Sequence, residues 1–222
     1  MAERSKTKEK ILATALGLFN NEGESQISSV DVASVMGISP GNLYYHYKGK
    51  DEIISELFDD FDEELRMVLA APITKPLSLA DNWVYLYIIF EEIYDFRFFY
   101  KNLSELINRN PLLRTRFSKL LALKEQTALS LLTTLEAAGH LEFEEGEASA
   151  VSQRLAQHFT FWIQYHDLRY NASSPKSLID QGVFSALVLI IPYFTRDAEF
   201  SDRLAEFLQG QGTARPSVTS SP

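Results

Sequence analysis

Along most of this chain apolar residues recur three and four positions apart, and no stretch alternates apolar with polar residues for long. That periodicity predicts an all-α protein. In the first quarter, Ile11, Leu12, Ala15, Leu16, Leu18 and Phe19 put one buried stripe on a helix from Arg4 to about Asn21, with Gly23 as its stop. A second, shorter helix opens near Ser29. Ser29 caps its free amides, Asp31 suits the dipole of the first turn, and Val32, Ala33, Val35 and Met36 supply its buried side. Gly37 then permits a left-handed turn, and Ile38 fills the corner. Ser39 caps a third helix whose first turn holds Pro40, where a missing amide does no harm. In that helix Leu43 and Tyr47 anchor inward, while Gly41, Asn42, Tyr45 and His46 face outward. Lys48-Gly49-Lys50 closes the unit.

The remainder reads as a larger helical body. Ile53, Ile54, Leu57, Phe58, Phe61, Leu65 and Val68 predict a long helix from Asp51 to about Leu69, and the clearest linker follows at Ala71-Pro72-Ile73-Thr74-Lys75-Pro76. Leu79 to Tyr100 holds nine of the 27 aromatic residues. A helix-like run from Phe99 to Asn108 breaks at Asn110-Pro111, and Leu112 to Ala138 forms a long helix ending at Gly139. After a short connection, a helix spans Glu147 to about Tyr170, and a turn at 171–175 carries Ser174 as the next cap. Leu178 to Tyr193 is apolar on nearly every side, which predicts burial, most simply against a second subunit. A last helix is expected over Asp197–Leu208, and the Gly/Pro/Ser/Thr-rich residues 209–222 form a disordered tail.

Composition narrows the class. With 222 residues, 45% of them hydrophobic, the chain has material for a sizeable core and for more than one domain. It contains no cysteine, which excludes a disulfide framework, a thiolate zinc site and a cysteine nucleophile. No signal peptide opens it, and the most apolar stretch, Val183–Phe194, is too short to cross a bilayer, so a cytoplasmic location is expected. The net charge of −9 argues against nucleic acid until its distribution is considered. Residues 1–50 carry six bases (Arg4, Lys6, Lys8, Lys10, Lys48, Lys50) against five acids, leaving 15 of the 21 bases and 25 of the 30 acids in the rest. The less acidic end is where a nucleic-acid contact belongs.

Two short helices joined by a glycine turn, Ser28 to Lys50, are the pattern of a helix-turn-helix, whose second helix enters the major groove while the first crosses the backbone. Ser39 to Asn42 keeps the start of that helix small enough for close approach. Asn42 is suited to pair bidentately with adenine, and Ser39 to donate or accept. Tyr45, His46 and Lys50 are suited to phosphates, which position without specifying. The alternative is a generic core hairpin with its tyrosines as packing.

The run Met36-Gly37-Ile38-Ser39-Pro40-Gly41-Asn42-Leu43-Tyr44-Tyr45-His46-Tyr47-Lys48-Gly49-Lys50 resembles the TetR/AcrR family of one-component bacterial transcription regulators, with Met36 and Tyr47 as mild departures. The resemblance covers about the first 50 residues. It implies an N-terminal three-helix helix-turn-helix domain, residues 1–50 continuing into the connecting helix 51–70. A larger helical ligand-binding and dimerisation domain follows, residues 77–208. It implies that Ser29 and Val30 begin the helix that touches the DNA backbone, although Val30 stands where some members carry a polar reader. It implies that Ser39, Pro40, Gly41 and Asn42 face the groove, that Tyr44, Tyr45 and His46 contact phosphates or buttress the helix, and that Lys50 binds phosphate. It further implies that the tilt of helix 51–70 transmits the signal. A homodimer through helices near 147–170 and 178–194 would bind a palindromic double-stranded operator, repression being the family norm.

The effector site is less defined. Trp83, Tyr87, Phe90, Tyr94 and Phe98 either line a pocket for a small apolar or aromatic molecule or are simply core, and Trp162 and His166 either reach that pocket or are structural. The acidic run Asp59, Asp60, Asp62, Glu63, Glu64 reads as a solvated face, since consecutive carboxylates point in different directions on a helix. His158 and His166 lie two turns apart, too far to share one small ion directly. They carry the alternative function, an α-helical enzyme or metal-binding protein. No catalytic constellation is evident, and neither a cofactor nor enzymatic activity is expected.

Overall fold

The computed structural model describes residues 5–70, 79–170 and 174–195, with residues 79–83 described by backbone alone. These residues form an all-α protein. Helix α1 (Lys6–Glu22) starts at the Ser5 cap and turns Ile11, Leu12, Ala15 and Phe19 inward. A single 3-10 turn, Glu24–Gln26, leads to α2 (Ser29–Val35) and α3 (Pro40–His46).

The cap of α2 is Ser28, not Ser29. Ser28 Oγ accepts the Asp31 N–H, and the Asp31 carboxylate accepts the Ser28 N–H at 2.8 Å. This reciprocal box needs an acid three residues after the cap, and Asp31 meets that spacing from Ser28. The Ser28 hydroxyl and amide also hold the Asp31 carboxyl below the usual carboxylate range. Ser29 is buried in the first turn. Val35, expected inside, is 64% exposed, because Ser29, Val32, Ala33 and Met36 make the inward stripe and position 35 falls beside it. Gly37 adopts φ 67°, the left-handed turn that a side chain resists. Ser39 accepts the Asn42 N–H as the cap of α3, and Pro40 occupies its first position.

Helix α4 (Lys50–Leu69) buries Ile53, Ile54, Leu57, Phe58, Phe61, Leu65 and Leu69. The linker expected at 71–76, the helix at 197–208 and the tail lie outside the described residues. Helix α5 (Leu79–Asp95) ends before Phe96. The expected run from Phe99 to Asn108 is two helices, α6 (Arg97–Lys101) and α7 (Leu103–Arg109). The break falls at Asn102, whose side-chain amide donates to Phe98 O at 3.0 Å, next to the backbone bond from the Asn102 N–H to the same carbonyl. Helix α8 (Pro111–Ala137) is capped by Asn110, α9 spans Glu147–Arg169, and α10 spans Pro175–Val188 with Ser174 as cap. Helix α10 stops five residues short of the expected Tyr193, and a 3-10 turn, Ile191–Tyr193, follows. Pro192 has no amide to continue an α-helix, and its ring opposes the carbonyl four residues back. That turn is tied to the α8–α9 connection: Glu142 N–H donates to Tyr193 O at 2.8 Å, and Leu141 bridges Phe194.

The core is continuous from the first helices to the last. Its centre is aromatic. Phe61 of α4 lies 5.2 to 5.8 Å from the rings of Phe58, Phe96, Phe99 and Tyr100, and Phe58 lies 5.0 Å from Phe117 of α8. Each such ring contributes about 2–3 kcal/mol by burial alone. Helix α10 lays Leu178, Ile179, Gly182, Val183, Ala186 and Leu187 against α5 and α9. Much of its apolar character is therefore used within one chain. The segment Pro175–Tyr193 is apolar and long enough by composition to cross a membrane, yet its α-helix covers only 14 residues and one side is packed in the core.

Candidate nucleic-acid interface

Helix α3 is presented from below. Leu43 and Tyr47 are buried in the core, α3 packs on α2, and the Lys8 ammonium of α1 lies 4.9 Å from the Tyr47 ring centre. With these two anchors inside, the geometry of a seven-residue helix turns the other side outward. Ser39, Pro40, Gly41, Asn42 and Tyr44 are exposed, and Tyr45 is 86% exposed. His46 is half-buried and packs edge-on against the Tyr45 ring at 5.2 Å. Val30 of α2 is exposed beside this face, whereas Ser29 is buried. The exposed set combines a hydroxyl, a primary amide and two phenols, groups that hydrogen-bond to bases and phosphates.

Lys50 stands differently. Its ammonium pairs with the Glu24 carboxylate at 2.9 Å and donates to the Glu24 carbonyl at 2.9 Å. Two contacts of its three-donor ammonium are therefore made to Glu24, and the side chain keeps partial access to water. Glu24 itself is fully buried and also holds Arg109 from the end of α7 at 2.8 Å, while Arg109 lies 3.3 Å from Asp51. Beside this group is a cleft of about 350 Å³, open to solvent and lined by Lys48, Gly49, Lys50, Asp51, Glu52 and Arg109. A second set of contacts ties α1 to the α5–α6 corner. Asn20 donates to Asp95 O at 2.7 Å and accepts the Phe98 N–H at 3.0 Å, and Arg97 donates to Asn21 Oδ1 at 2.8 Å. These residues join the reading unit to the larger body. Sequence reading missed them because a polar residue after a helix stop looks like surface, and only the tertiary fold buries Glu24.

The six effector candidates whose side chains are described do not converge on one place. The Trp83 side chain lies outside the described residues, and Tyr87 is half-buried. Phe90 and Trp162 close on Gly182 of α10, where an added Cβ would sit 2.7 Å from each. Trp162 also donates to Leu178 O at 3.0 Å. Tyr94 stacks under Arg97, 4.4 Å away, and Phe98 packs on Phe19 of α1 at 5.3 Å, both at the junction with the reading unit. His166 is buried between Trp162 and Tyr170, and its Nε2 has no hydrogen-bond partner among the described residues. Burial lowers its pKa, with Lys101 adding to that and Asp167 opposing. His158 bonds the Gly182 carbonyl at 3.0 Å, and burial lowers its pKa too. In the acidic run, Asp59 pairs with Arg116 and Asp62 with Arg66. Among the described residues no three metal-ligating groups converge.

Comparison with known proteins agrees with this architecture. Residues 11–57 match the model of bacterial regulatory proteins of the tetR family, and residues 60–200 match a TetR model described as bacterial transcriptional repressor. The chain is 35% identical over 57 residues to the HTH-type transcriptional regulator AcrR of Shigella flexneri, a match spanning 26% of each chain. The structure of a TetR-family transcriptional regulator from Marinobacter aquaeolei is 30% identical, with a TM-score of 0.85 over 96% of this chain and 100% of that one. A transcriptional regulator from Saccharomonospora viridis in complex with choline shares the fold at 18% identity, with a TM-score of 0.68 over 87% of this chain and 100% of its own. With a reading helix set on buried anchors, a helical body behind it and both family models matched along most of its length, this chain belongs to the TetR family of bacterial transcriptional regulators.

Proposed function

We propose that this regulator is a cytoplasmic repressor that binds a palindromic operator as a homodimer and leaves it when a small molecule occupies the helical body. The observation that carries this reading is the outward face of α3, Ser39 to Tyr45, held on the buried Leu43 and Tyr47. Asn42 reads a base, and Tyr44, Tyr45 and His46 fix the helix on the phosphates. Ser29 serves through its backbone rather than its buried hydroxyl. Pairing uses the exposed apolar stripe of α9, Phe161, Tyr165 and Leu168, with Val188 of α10. These residues recur three and four apart, so they share one face. Two paired copies present their α3 helices about 34–36 Å apart, one turn of DNA.

An effector that binds better to a differently spaced dimer lowers operator affinity by that difference. The junction at Asn20, Asn21, Glu24, Arg97 and Arg109 is the route by which the body changes the spacing. To test the reading, binding to the protein's own upstream DNA is measured against salt. Salt-sensitive, sequence-selective binding is expected. Asn42→Ala should cost about 1–3 kcal/mol and relax selectivity at one position, whereas Tyr45→Phe should weaken all sequences alike. Absence of selective binding by the wild type overturns the repressor reading, and a uniform loss from Asn42→Ala overturns its role as base reader.

A further inference from the structure

Helix α8 buries Leu113, Phe117, Leu120, Lys124, Ala128, Leu132 and Leu135 along one face. One member of that apolar series is a lysine. Lys124 is 3% exposed, so its stem does not carry the ammonium out to water as buried lysine stems usually do. The ammonium donates to Tyr100 Oη at 3.0 Å and lies 4.8 Å from the centre of that ring. Among the described residues no carboxylate pairs with it, and the titratable group it touches is Tyr100. Burial pushes Lys124 down to about 7 and pushes the Tyr100 phenol up, so the phenol stays protonated and supplies no counter-charge.

An ammonium buried without an anion is expensive, and an apolar side chain would fill this position at less cost. The ammonium carries three N–H donors, and its hydrogen-bond acceptor among the described residues is one neutral phenol, Tyr100. We infer that Lys124 anchors the acidic group of the effector, and that the regulator answers to an apolar monocarboxylate whose anion pairs with this ammonium beside Tyr100. The inference rests on the effector-responsive reading above and names its ligand class. A carboxylate provides the missing charge and the missing acceptors, through charge-assisted bonds stronger than the phenol gives. The surroundings suit an apolar body: Leu120 and Ala128 flank Lys124 on α8, and the rings against Tyr100 are Phe61 and Phe117. Tyr100 also links the site to the reading unit. It sits in α6, its carbonyl accepts Gln164 of α9 at 2.7 Å, and two residues earlier the Phe98 N–H is bonded to Asn20 of α1. An anion that draws Lys124 from Tyr100 therefore acts on the segment that holds α1.

The test uses decanoate and 4-phenylbutyrate as probes, with decanol and 4-phenylbutanol as neutral controls. Thermal stabilisation and calorimetric binding are measured on the full chain, wild type and Lys124→Met. At least one acid should bind the wild type about tenfold or more tightly than its alcohol, and Lys124→Met should lose that advantage. To separate the assignment from any effect of Lys124→Met on folding, proton uptake is measured on the wild type in two buffers of different ionisation heat. Near pH 8 the acid should take up a proton on binding and the alcohol none. Alcohols that bind as well as acids, acids held equally by Lys124→Met, binding without proton uptake, or no binding of either acid would each overturn the assignment. None of these readouts involves DNA, so failure of the repressor reading would show separately, as loss of operator binding by the untreated wild type.

Discussion

Replacing Glu24 by glutamine removes one negative charge from the point where the reading unit meets α7. The carboxylate is fully buried, accepts Lys50 at 2.9 Å and Arg109 at 2.8 Å on the same oxygen, and leaves its second oxygen without a hydrogen-bond partner among the described residues. Each hydrogen bond to a charged group contributes about 1.5–3 kcal/mol. Removing one partner of a fully buried pair costs about 3–5 kcal/mol, because the other charge is stranded. Here the cations are not stranded. Lys50 and Arg109 keep partial access to water, Lys50 keeps the Glu24 carbonyl, and Arg109 keeps Asp51 and Glu105. The expected loss is therefore about 2–3 kcal/mol, with a fall in melting temperature of roughly 5–10 °C for a chain of this size. Urea denaturation of Glu24→Gln, Arg109→Met and the double variant forms the assay, and a coupling energy of about 1 kcal/mol or more is expected between the two. Simple additivity, or a Glu24→Gln protein within about 0.5 kcal/mol of wild type, would refute the claim that this carboxylate ties α7 to the reading unit.

Three further outcomes follow from the packing. Gly182→Ala drives a methyl to within 2.7 Å of Phe90 and Trp162, and should cost about 1–3 kcal/mol in denaturation experiments through overpacking of α5, α9 and α10. Burial, with the neighbouring Glu64, pushes Glu92 up to about 7. Its contribution is fully present below the unfolded value near 4.5 and is lost as pH rises through 7, so Glu92→Gln should raise the melting temperature at about pH 8 and give no gain below about pH 4.5. Leu168 is 90% exposed on the stripe assigned to pairing, and Leu168→Glu with Phe161→Glu should give monomers in sedimentation while the helical circular dichroism is kept.

The helices were legible because each carries its own signal. Gly37, Ser39 and Pro40 mark the turn and the start of α3, and all three do in the fold what local backbone chemistry requires. Errors arose where two neighbouring residues compete for one role. Ser28 and Ser29 are both plausible caps, and the position of Asp31 decides between them. The break of 99–108 into α6 and α7 falls at Asn102, where the side-chain amide donates to Phe98 O, a local contact that apolar periodicity does not reveal. The aromatic wealth of 79–100 was visible, but its division among the α10 contact, the Arg97 stack and the α1 junction depends on which helices meet. Lys124 escaped notice for the opposite reason. A lysine in a long helix reads as solvated, and only its place on the buried face of α8 shows otherwise.

The central claim is that α3 reads DNA as one of a symmetric pair. Selection of bound sequences from a random DNA pool, followed by the mass of the complex with the selected site, tests it most directly. The account predicts an inverted repeat with half-site centres about 10 base pairs or a multiple of that apart, bound by an even number of protomers. It also predicts that Asn42→Ala relaxes the same position in both half-sites. A single unpaired half-site bound by one protomer, or no enriched sequence at all, would contradict it.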